Sequence, residues 1–180
     1  KIQQELELTF IYVTHDQEEA LTMSDRIAII NKGVIEQIDT AYNIYEHPKT
    51  RFVAGFIGES NILNAVVLDN KDGVVTIGTE VGKAMALAAD KDFQVNDSVS
   101  ISIRPENMLY SKEPVEGFGL KAVVKEHIYV GNIIKTILLL NDGTEIKVNR
   151  FSEDDAPDVG DMVYLYWKLE KGILLKDKKT

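Results

Sequence analysis

Apolar and polar residues follow two different patterns along the chain, and the change falls near residues 58–61. Before that point, short apolar runs alternate with stretches whose apolar residues recur at helical spacing, which is typical of mixed α/β structure. After it, residues 62–110 and 118–176 form short alternating runs separated by Gly, Asn and Asp turns, which predicts β-strands. The pattern therefore predicts an α/β segment over residues 1–58 and an all-β domain, a small barrel or sandwich, over residues 59–180.

The α/β segment contains the stretch FIYVTHDQEEAL, residues 10–21. The β-branched and aromatic run 10–14 predicts a buried strand. Asp16 followed three residues later by Glu19 predicts a capping box at the start of a helix. His15 is thus expected at the carboxyl end of a strand and beside a helix N-terminus, which is the edge where open α/β sheets bind ligands.

Three further elements are predicted before the change of pattern. Two apolar runs around residues 31–33, Asn-Lys-Gly, predict a β-hairpin. A short helix is expected to begin after Thr40 and to stop at Pro48, because proline cannot continue a helix. A second helix is expected between an N-cap at Thr50 and a C-terminal stop at Gly58.

Composition narrows the class of protein. The 20 basic and 29 acidic residues give a net charge of −9, which argues against broad binding to nucleic acid or to an anionic membrane surface. The chain has no cysteine, so disulfides and thiolate metal sites are excluded, as suits a reducing cytoplasm. No apolar run is long enough for a membrane span, and the first residues are not a signal peptide. The opening KIQQELELTF is typical of a helix end that leads into a strand, so the chain is expected to be a piece of a longer protein.

Two dense segments carry a family resemblance: FIYVTHDQEEALTMSDRIAIINKGVIEQIDT and NIYEHPKTRFVAGFIGESNILNA. They resemble the end of the nucleotide-binding domain in ATPases of ATP-binding cassette (ABC) importers, in the class with a C-terminal regulatory domain. The later segment SIRPENM resembles the signature of that family's regulatory OB-type (TOBE) barrels. FVAGFIGESNILNA, YVGN and FSEDD are most similar to the members that import spermidine and putrescine.

The resemblance implies a role for His15, which matches the family's switch histidine. In the intact protein this residue would contact the γ-phosphate of ATP and hold the attacking water in register, with Mg²⁺ as the accompanying ion. A neutral imidazole can donate one hydrogen bond and accept another, which suits such a task. The phosphate loop, the signature motif and the Mg²⁺-binding acids of the family are absent from this sequence. The chain alone is therefore expected neither to bind ATP tightly nor to hydrolyse it.

The resemblance also implies partners and a location. The parent would be a homodimer on the cytoplasmic side of the bacterial cell membrane, where it would drive transmembrane permease subunits supplied by a solute-binding protein. The Ile-, Val- and Leu-rich strands of residues 133–148 are expected to leave an apolar face or edge that a second copy covers. Two alternatives remain open: import of a sugar, iron or an oxyanion by the same class of ATPase, and a β-barrel binding or dimerisation module without catalysis.

Other polar residues have structural interpretations beside the functional ones. Asp16 and Glu19 are tempting as paired catalytic or metal-binding carboxylates, but helix capping suffices to explain them. His47 and His127 lack a second ligand at metal spacing and are expected to be structural or solvated. Arg104 is expected to pair with a carboxylate or a backbone carbonyl near the barrel corner.

An acidic segment follows the barrel strands and has two interpretations. A solvated loop is the default for such a run of charge. In a polyamine-handling protein, a cation-sensing surface that includes Asp154 and Asp155 is the alternative, and these two residues are the candidate regulatory site. The acidic residues of this segment are Glu153, Asp154, Asp155, Asp158 and Asp161.

Overall fold

The computed structural model describes residues 9–88, 93–151 and 156–176, and this part of the chain is mostly β-sheet. One two-stranded hairpin is followed by two five-stranded antiparallel sheets. The prediction that strands dominate after residue 60 is confirmed. The helices are α1 (Gln17–Met23), α2 (Ala41–Glu46) and α3 (Arg51–Phe56), with a 3₁₀ turn at Leu169–Lys171. The strands are β1 (Ile27–Asn31), β2 (Val34–Asp39), β3 (Asn61–Lys71), β4 (Val74–Thr79), β5 (Gly82–Leu87), β6 (Ser98–Ile103), β7 (Leu109–Ser111), β8 (Leu120–Val130), β9 (Ile133–Leu140), β10 (Glu145–Phe151), β11 (Met162–Tyr166) and β12 (Ile173–Lys176).

The predicted buried strand over residues 10–14 is wrong. The segment has no strand assignment, and the side chains of Ile11 and Val13 are 91% and 90% exposed. A run of β-branched residues becomes a strand only when neighbouring strands satisfy its backbone. Among the described residues no strand pairs with this run, so its apolar side chains stay in contact with solvent.

The other elements before residue 58 form where they were predicted. β1 and β2 pair antiparallel across Lys32 and Gly33, both with positive φ, as a two-residue hairpin turn requires. The Thr40 hydroxyl caps α2 by accepting from the Asn43 N–H, and the Thr50 hydroxyl caps α3 in the same way. These elements enclose a small core of their own. Its buried residues are Ile27, Ile29, Ile44, Val53 and Ile57.

The two five-stranded sheets repeat one topology with an exchanged strand. The first lobe has the order β12-β6-β3-β4-β5, and the second lobe has the order β10-β9-β8-β11-β7. In the first lobe the long strand β3 pairs with β4 and β6, and β5 pairs with the other side of β4. In the second lobe the long strand β8 pairs with β9 and β11, and β10 pairs with the other side of β9. The fifth strand of each lobe crosses to the other: β7 follows β6 yet pairs with β11, while β12 follows β11 yet pairs with β6.

Equivalent hydrogen bonds confirm the repeat at the level of single residues. Each long first strand has a register shift, between Val67 and Asp69 in β3 and between Val124 and Glu126 in β8. At each shift one valine exchanges a pair of backbone hydrogen bonds with a turn that precedes the fourth strand. These bonds join Val67 to Asn96 and Asp97 in the first lobe, and Val124 to Gly160 and Asp161 in the second lobe.

Both lobes share one hydrophobic core, and Trp167 lies where they meet. This residue directly follows β11 of the second lobe, and its indole N–H donates to the Met85 carbonyl in β5 of the first lobe at 3.0 Å. The edge of its ring packs against Phe118, with 4.9 Å between the ring centroids. The side chain is 2% exposed, so the two lobes are joined by buried contacts as well as by exchanged strands.

Candidate functional site around His15

His15 is exposed and lies directly before α1. The neighbouring Asp16 is the N-cap of this helix, and its Oδ1 accepts from the N–H groups of Glu18 at 2.9 Å and Glu19 at 3.1 Å. An N-cap carboxylate stabilises the first turn because it satisfies N–H groups that have no partner within the helix. The position predicted for His15, beside a helix N-terminus, is confirmed, whereas the strand expected before it is missing.

Only half of the predicted capping box forms. The Glu19 carboxylate does not bond the Asp16 N–H, which donates instead to the Thr14 hydroxyl at 2.9 Å. Glu19 Oε2 accepts from the Tyr12 and Thr14 hydroxyls, both at 2.9 Å, and this raises the pKa of Tyr12. Both carboxylates of the predicted pair therefore shape the backbone around His15, which agrees with their structural interpretation.

Gln17, in the first turn of α1, connects this helix to the segment that enters the first lobe. Its side-chain Oε1 accepts from the Gly58 N–H at 3.1 Å. Ala20 and Leu21, on the same helix, pack against the small core. Because His15 lies two residues before Gln17, its backbone is held at a fixed place relative to Gly58.

Arg104, which follows β6, is 5% exposed and binds backbone carbonyls, one of the two kinds of partner that the sequence predicted. Its Nη1 donates to the carbonyls of Ile57 at 2.5 Å and Glu59 at 3.0 Å, and more weakly to that of Ala54 at 3.4 Å. Its Nη2 donates to the Tyr45 carbonyl at 2.9 Å, and its guanidinium lies 4.2 Å from the centre of the Tyr45 ring. Burial lowers the pKa of Arg104. The guanidinium of Arg104 thus holds the C-terminal ends of α2 and α3 against the first lobe by hydrogen bonds.

Further side chains reinforce the same junction. The Tyr45 hydroxyl donates to Glu106 at 2.7 Å, and burial with this hydrogen bond raises the pKa of Tyr45 to about 12. Lys171, from the 3₁₀ turn, donates to Glu46 at 2.8 Å. The segment before residue 58 is therefore attached to the lobes through several polar contacts around Arg104.

The other two histidines have local partners. The carbonyl of His47 accepts from the Gln37 amide at 3.2 Å, and the ring of His47 lies 5.9 Å from that of Tyr42. His127 Nε2 lies 2.8 Å from the Pro157 carbonyl and Nδ1 lies 2.9 Å from the Thr136 hydroxyl. Within the described ranges no group of three or more His, Asp or Glu side chains could hold a metal ion. These contacts agree with the structural interpretation of both residues.

The candidate regulatory residues Asp154 and Asp155, together with Glu153, lie outside the described residues. Asp161, nearby in sequence, accepts from the Asp158 N–H at 3.1 Å and lies 3.4 Å from Lys112. It therefore serves the turn before β11. A regulatory role for Asp154 and Asp155 stays a prediction.

The link between Gln17 and Gly58 was not predicted. The two residues are 41 positions apart, and a lone glutamine in a helical pattern has no spacing that identifies its partner. The sequence marked only Gly58, as the predicted stop of a helix, and the structure gives this residue a φ of +67°. No helix in the described ranges is long and apolar enough to cross a membrane.

Comparison with known proteins supports the resemblance in both parts of the chain. Residues 101–175 match the TOBE domain family. The chain is 38% identical over 99% of its length to the "Spermidine/putrescine import ATP-binding protein PotA" of Vibrio parahaemolyticus and 41% identical over 97% of its length to that of Thermobifida fusca. These alignments cover 49% and 47% of the two relatives, so the chain spans about half the length of the curated relatives it matches.

A solved structure shows the fold alone. The cytoplasmic molybdate-binding protein ModG, with molybdate bound, superposes with a TM-score of 0.56 at 18% identity. The superposition covers 63% of this chain and 94% of the other. The TOBE match and the similarity that runs through nearly all its residues show that the chain is similar to the C-terminal part of spermidine/putrescine import ATP-binding proteins.

Proposed function

We propose that the full-length protein hydrolyses ATP to drive polyamine import and that this chain supplies its switch histidine and its regulatory domain. The observation that carries the proposal is the 35–41% identity to spermidine/putrescine import ATP-binding proteins across most of the chain. Residues 1–58 would be the end of the nucleotide-binding domain, and residues 59–180 would be the regulatory domain. ATP and Mg²⁺ would be bound mainly by residues that this sequence lacks.

Several exposed apolar side chains before residue 58 support the proposal that this segment belongs to a larger domain. Phe10, Ile11 and Val13 are exposed, as are Ile30 and Ile35 in the hairpin. Contiguous exposed apolar side chains on a soluble protein usually mark a surface that another segment covers. The remaining part of a nucleotide-binding domain, with the strands that residues 10–14 lack, would cover this surface in the full-length protein.

His15 would act at the γ-phosphate. It is exposed, and the capped first turn of α1 together with the contacts of Glu19 fixes the backbone on both sides of it. Phosphoryl transfer depends chiefly on positioning and on stabilisation of charge, so a donor held at a fixed place can contribute strongly. The resemblance of the surrounding sequence implies a switch histidine at this position, and the exposure of His15 supports such a role.

The ATPase assignment is tested by comparing this chain with the full-length protein. We expect the full-length protein to hydrolyse ATP and this chain to show neither turnover above background nor sub-millimolar affinity for ATP, because no phosphate loop is present. Phosphate release and calorimetric titration measure the two quantities. Turnover that persists in this chain after purification to homogeneity would contradict the prediction, and an inactive full-length protein would contradict the proposed function.

The proposal that the transported molecule is a polyamine rests on the similarity to spermidine/putrescine import ATP-binding proteins. A sugar, iron or an oxyanion is the alternative cargo, since the ATPase of such an importer does not touch what it transports. Uptake measured with the full-length protein and its permease, using spermidine, maltose and molybdate in parallel, separates these cargoes. The permease and a solute-binding protein are the proposed partners, and the cytoplasmic face of the membrane is the proposed location.

The expected apolar face of strands 133–148 is not found in the form predicted. Leu138, Ile146 and Val148 face the shared core. The outer edge of β10 is also covered, because Asn61 exchanges two hydrogen bonds with Lys147, each at 2.8 Å. These residues cannot form the contact with a second copy.

Exposed apolar residues lie instead at the C-terminal ends of β8 and β10. Tyr129 and Phe151 are 70% and 66% exposed, and Val130 is also exposed. We call these three residues the apolar tip. Val130 and Phe151 both pair with Ile133 and lie on one face of the sheet, whereas Tyr129 lies on the other face. These exposed side chains are a more suitable dimerisation surface than the strands between residues 133 and 148.

We expect this chain to form a homodimer at about 100 μM, well above typical working dissociation constants. Sedimentation velocity measures the state of association. Replacing Tyr129 and Phe151 with serine should shift the chain to monomer, whereas Tyr42→Ser, an equally exposed change in α2, should not. A monomer in the unmodified chain would count against the proposed dimerisation.

A further inference from the structure

One peptide group lies between the barrel lobes and the helix that follows His15. The carbonyl of Ile57 and the N–H of Gly58 belong to the same peptide unit. Arg104 donates to this carbonyl at 2.5 Å, and Gln17 accepts from this N–H at 3.1 Å. The guanidinium of the first lobe, the peptide unit and the α1 side chain thus form a continuous chain of hydrogen bonds.

The strength of each hydrogen bond in this series depends on the other one. Donation to a carbonyl polarises the whole amide group and makes its N–H a better donor, so consecutive hydrogen bonds strengthen one another. The donor here is a buried cation, and hydrogen bonds to charged groups are stronger than those between neutral groups. Arg104 also donates to the carbonyl of Glu59 at 3.0 Å, so the backbone is held on both sides of Gly58.

Gly58 is fitted to this place. Its φ of +67° lies in the left-handed region, which favours glycine. A Cβ at this position would lie 3.2 Å from the Tyr45 ring and 3.5 Å from Nη1 of Arg104. A side chain at residue 58 would therefore strain the backbone and press against the Tyr45 ring.

We propose that this peptide unit transmits the position of the regulatory lobes to His15, with Gln17 as a positioning residue for the proposed ATPase. A displacement of β6 would move Arg104, and Arg104 would carry the peptide unit and α1 with it. Since His15 lies two residues before Gln17, the histidine would change its place relative to the γ-phosphate. A regulatory domain connected to His15 through these hydrogen bonds would alter the rate of hydrolysis without contacting ATP. The functional part of this inference rests on the proposed function, whereas the physical link does not.

The link is tested in this chain by amide NMR spectra of Arg104→Lys, made alone and in the Gln17→Met and Gln17→Glu backgrounds, each compared with the protein that keeps Arg104. Arg104→Lys keeps the charge but cannot reproduce the fork that holds several carbonyls. We expect it to shift the amide resonances of residues 15–19, and we expect these shifts to fall at least about threefold when Gln17→Met is also present. The matched control is Gln17→Glu with Arg104→Lys, in which a carboxylate oxygen still accepts from Gly58 and the shifts should persist. Equal shifts in the Met and Glu backgrounds, or no shifts at residues 15–19, would overturn the proposal.

The positioning role is tested in the full-length protein. Small misplacements of catalytic groups cost rate rather than binding, so Gln17→Met should lower kcat about tenfold with little change in the KM for ATP or in the melting temperature. Gln17→Glu should restore most of the rate. An unchanged kcat in Gln17→Met, alongside a strong loss in His15→Ala, would overturn the positioning role. A normal kcat in His15→Ala would instead remove the proposed function, and the NMR spectra would still decide whether the link exists.

Discussion

In the full-length protein, His15→Ala is expected to lower ATP hydrolysis by a factor of about 10² or more, as happens when a preorganised donor to a transferring group is lost. ATP binding should stay nearly unchanged, because the phosphate loop and Mg²⁺ would provide most of the contacts to the nucleotide. Single-turnover hydrolysis and equilibrium binding of ATP, measured on the same preparations, separate these two effects. A loss confined to turnover identifies an interaction made mainly in the transition state.

His15→Gln is the informative control for this experiment. A glutamine amide can donate a hydrogen bond but cannot take up a proton, so substantial activity in this variant would support positioning rather than base catalysis. If His15 only helped to order the start of α1, alanine would cost about 1 kcal/mol of stability and leave hydrolysis close to normal. Near-normal turnover in His15→Ala would remove the switch-histidine assignment.

Trp167→Ala is expected to produce a large loss of stability in this chain, of about 3–5 kcal/mol in the free energy of unfolding. The substitution empties the space between the lobes and leaves the Met85 carbonyl without its indole donor. It also removes the edge contact with Phe118. Urea unfolding followed by circular dichroism measures the effect, since the variant lacks the single tryptophan as a fluorescence probe.

Two controls accompany the tryptophan variant. Trp167→Phe keeps an aromatic ring in the core and loses the hydrogen bond, so its destabilisation should lie well below that of alanine. Phe151→Ala removes a ring that is 66% exposed and should change stability by only a few tenths of a kcal/mol. Equal unfolding midpoints for Trp167→Ala and Phe151→Ala would contradict the role assigned to the tryptophan.

Several elements that the sequence predicted correctly before residue 58 depend on neighbouring residues alone. The hairpin at Lys32 and Gly33 and the caps at Thr40 and Thr50 follow from local backbone preferences and short-range hydrogen bonds. The strand expected at residues 10–14 failed because a strand depends on what lies beside it. Its composition was suitable, but in the described structure no partner strand is present.

The features of the candidate site also separate into those that neighbouring residues determine and those that join distant parts of the sequence. The place of His15 before a capped helix follows from Asp16, one residue away. The contacts of Gln17 with Gly58 and of Arg104 with the ends of two helices join residues that are far apart in sequence. Patterning could mark Arg104 as unusual and could assign it backbone carbonyls, but it could not say which ones. A single sequence does not contain the information that selects a distant partner for one polar side chain.

The exchange of fifth strands has a consequence for synthesis on the ribosome. The first lobe has four of its strands by Ile103, yet its sheet is complete only when β12, Ile173–Lys176, has left the exit tunnel. At roughly 5–20 residues per second, the nascent chain therefore carries an unfilled edge at β6 for several seconds. Unpaired edges recruit other strands, so this interval is when a neighbouring nascent chain could supply the missing strand.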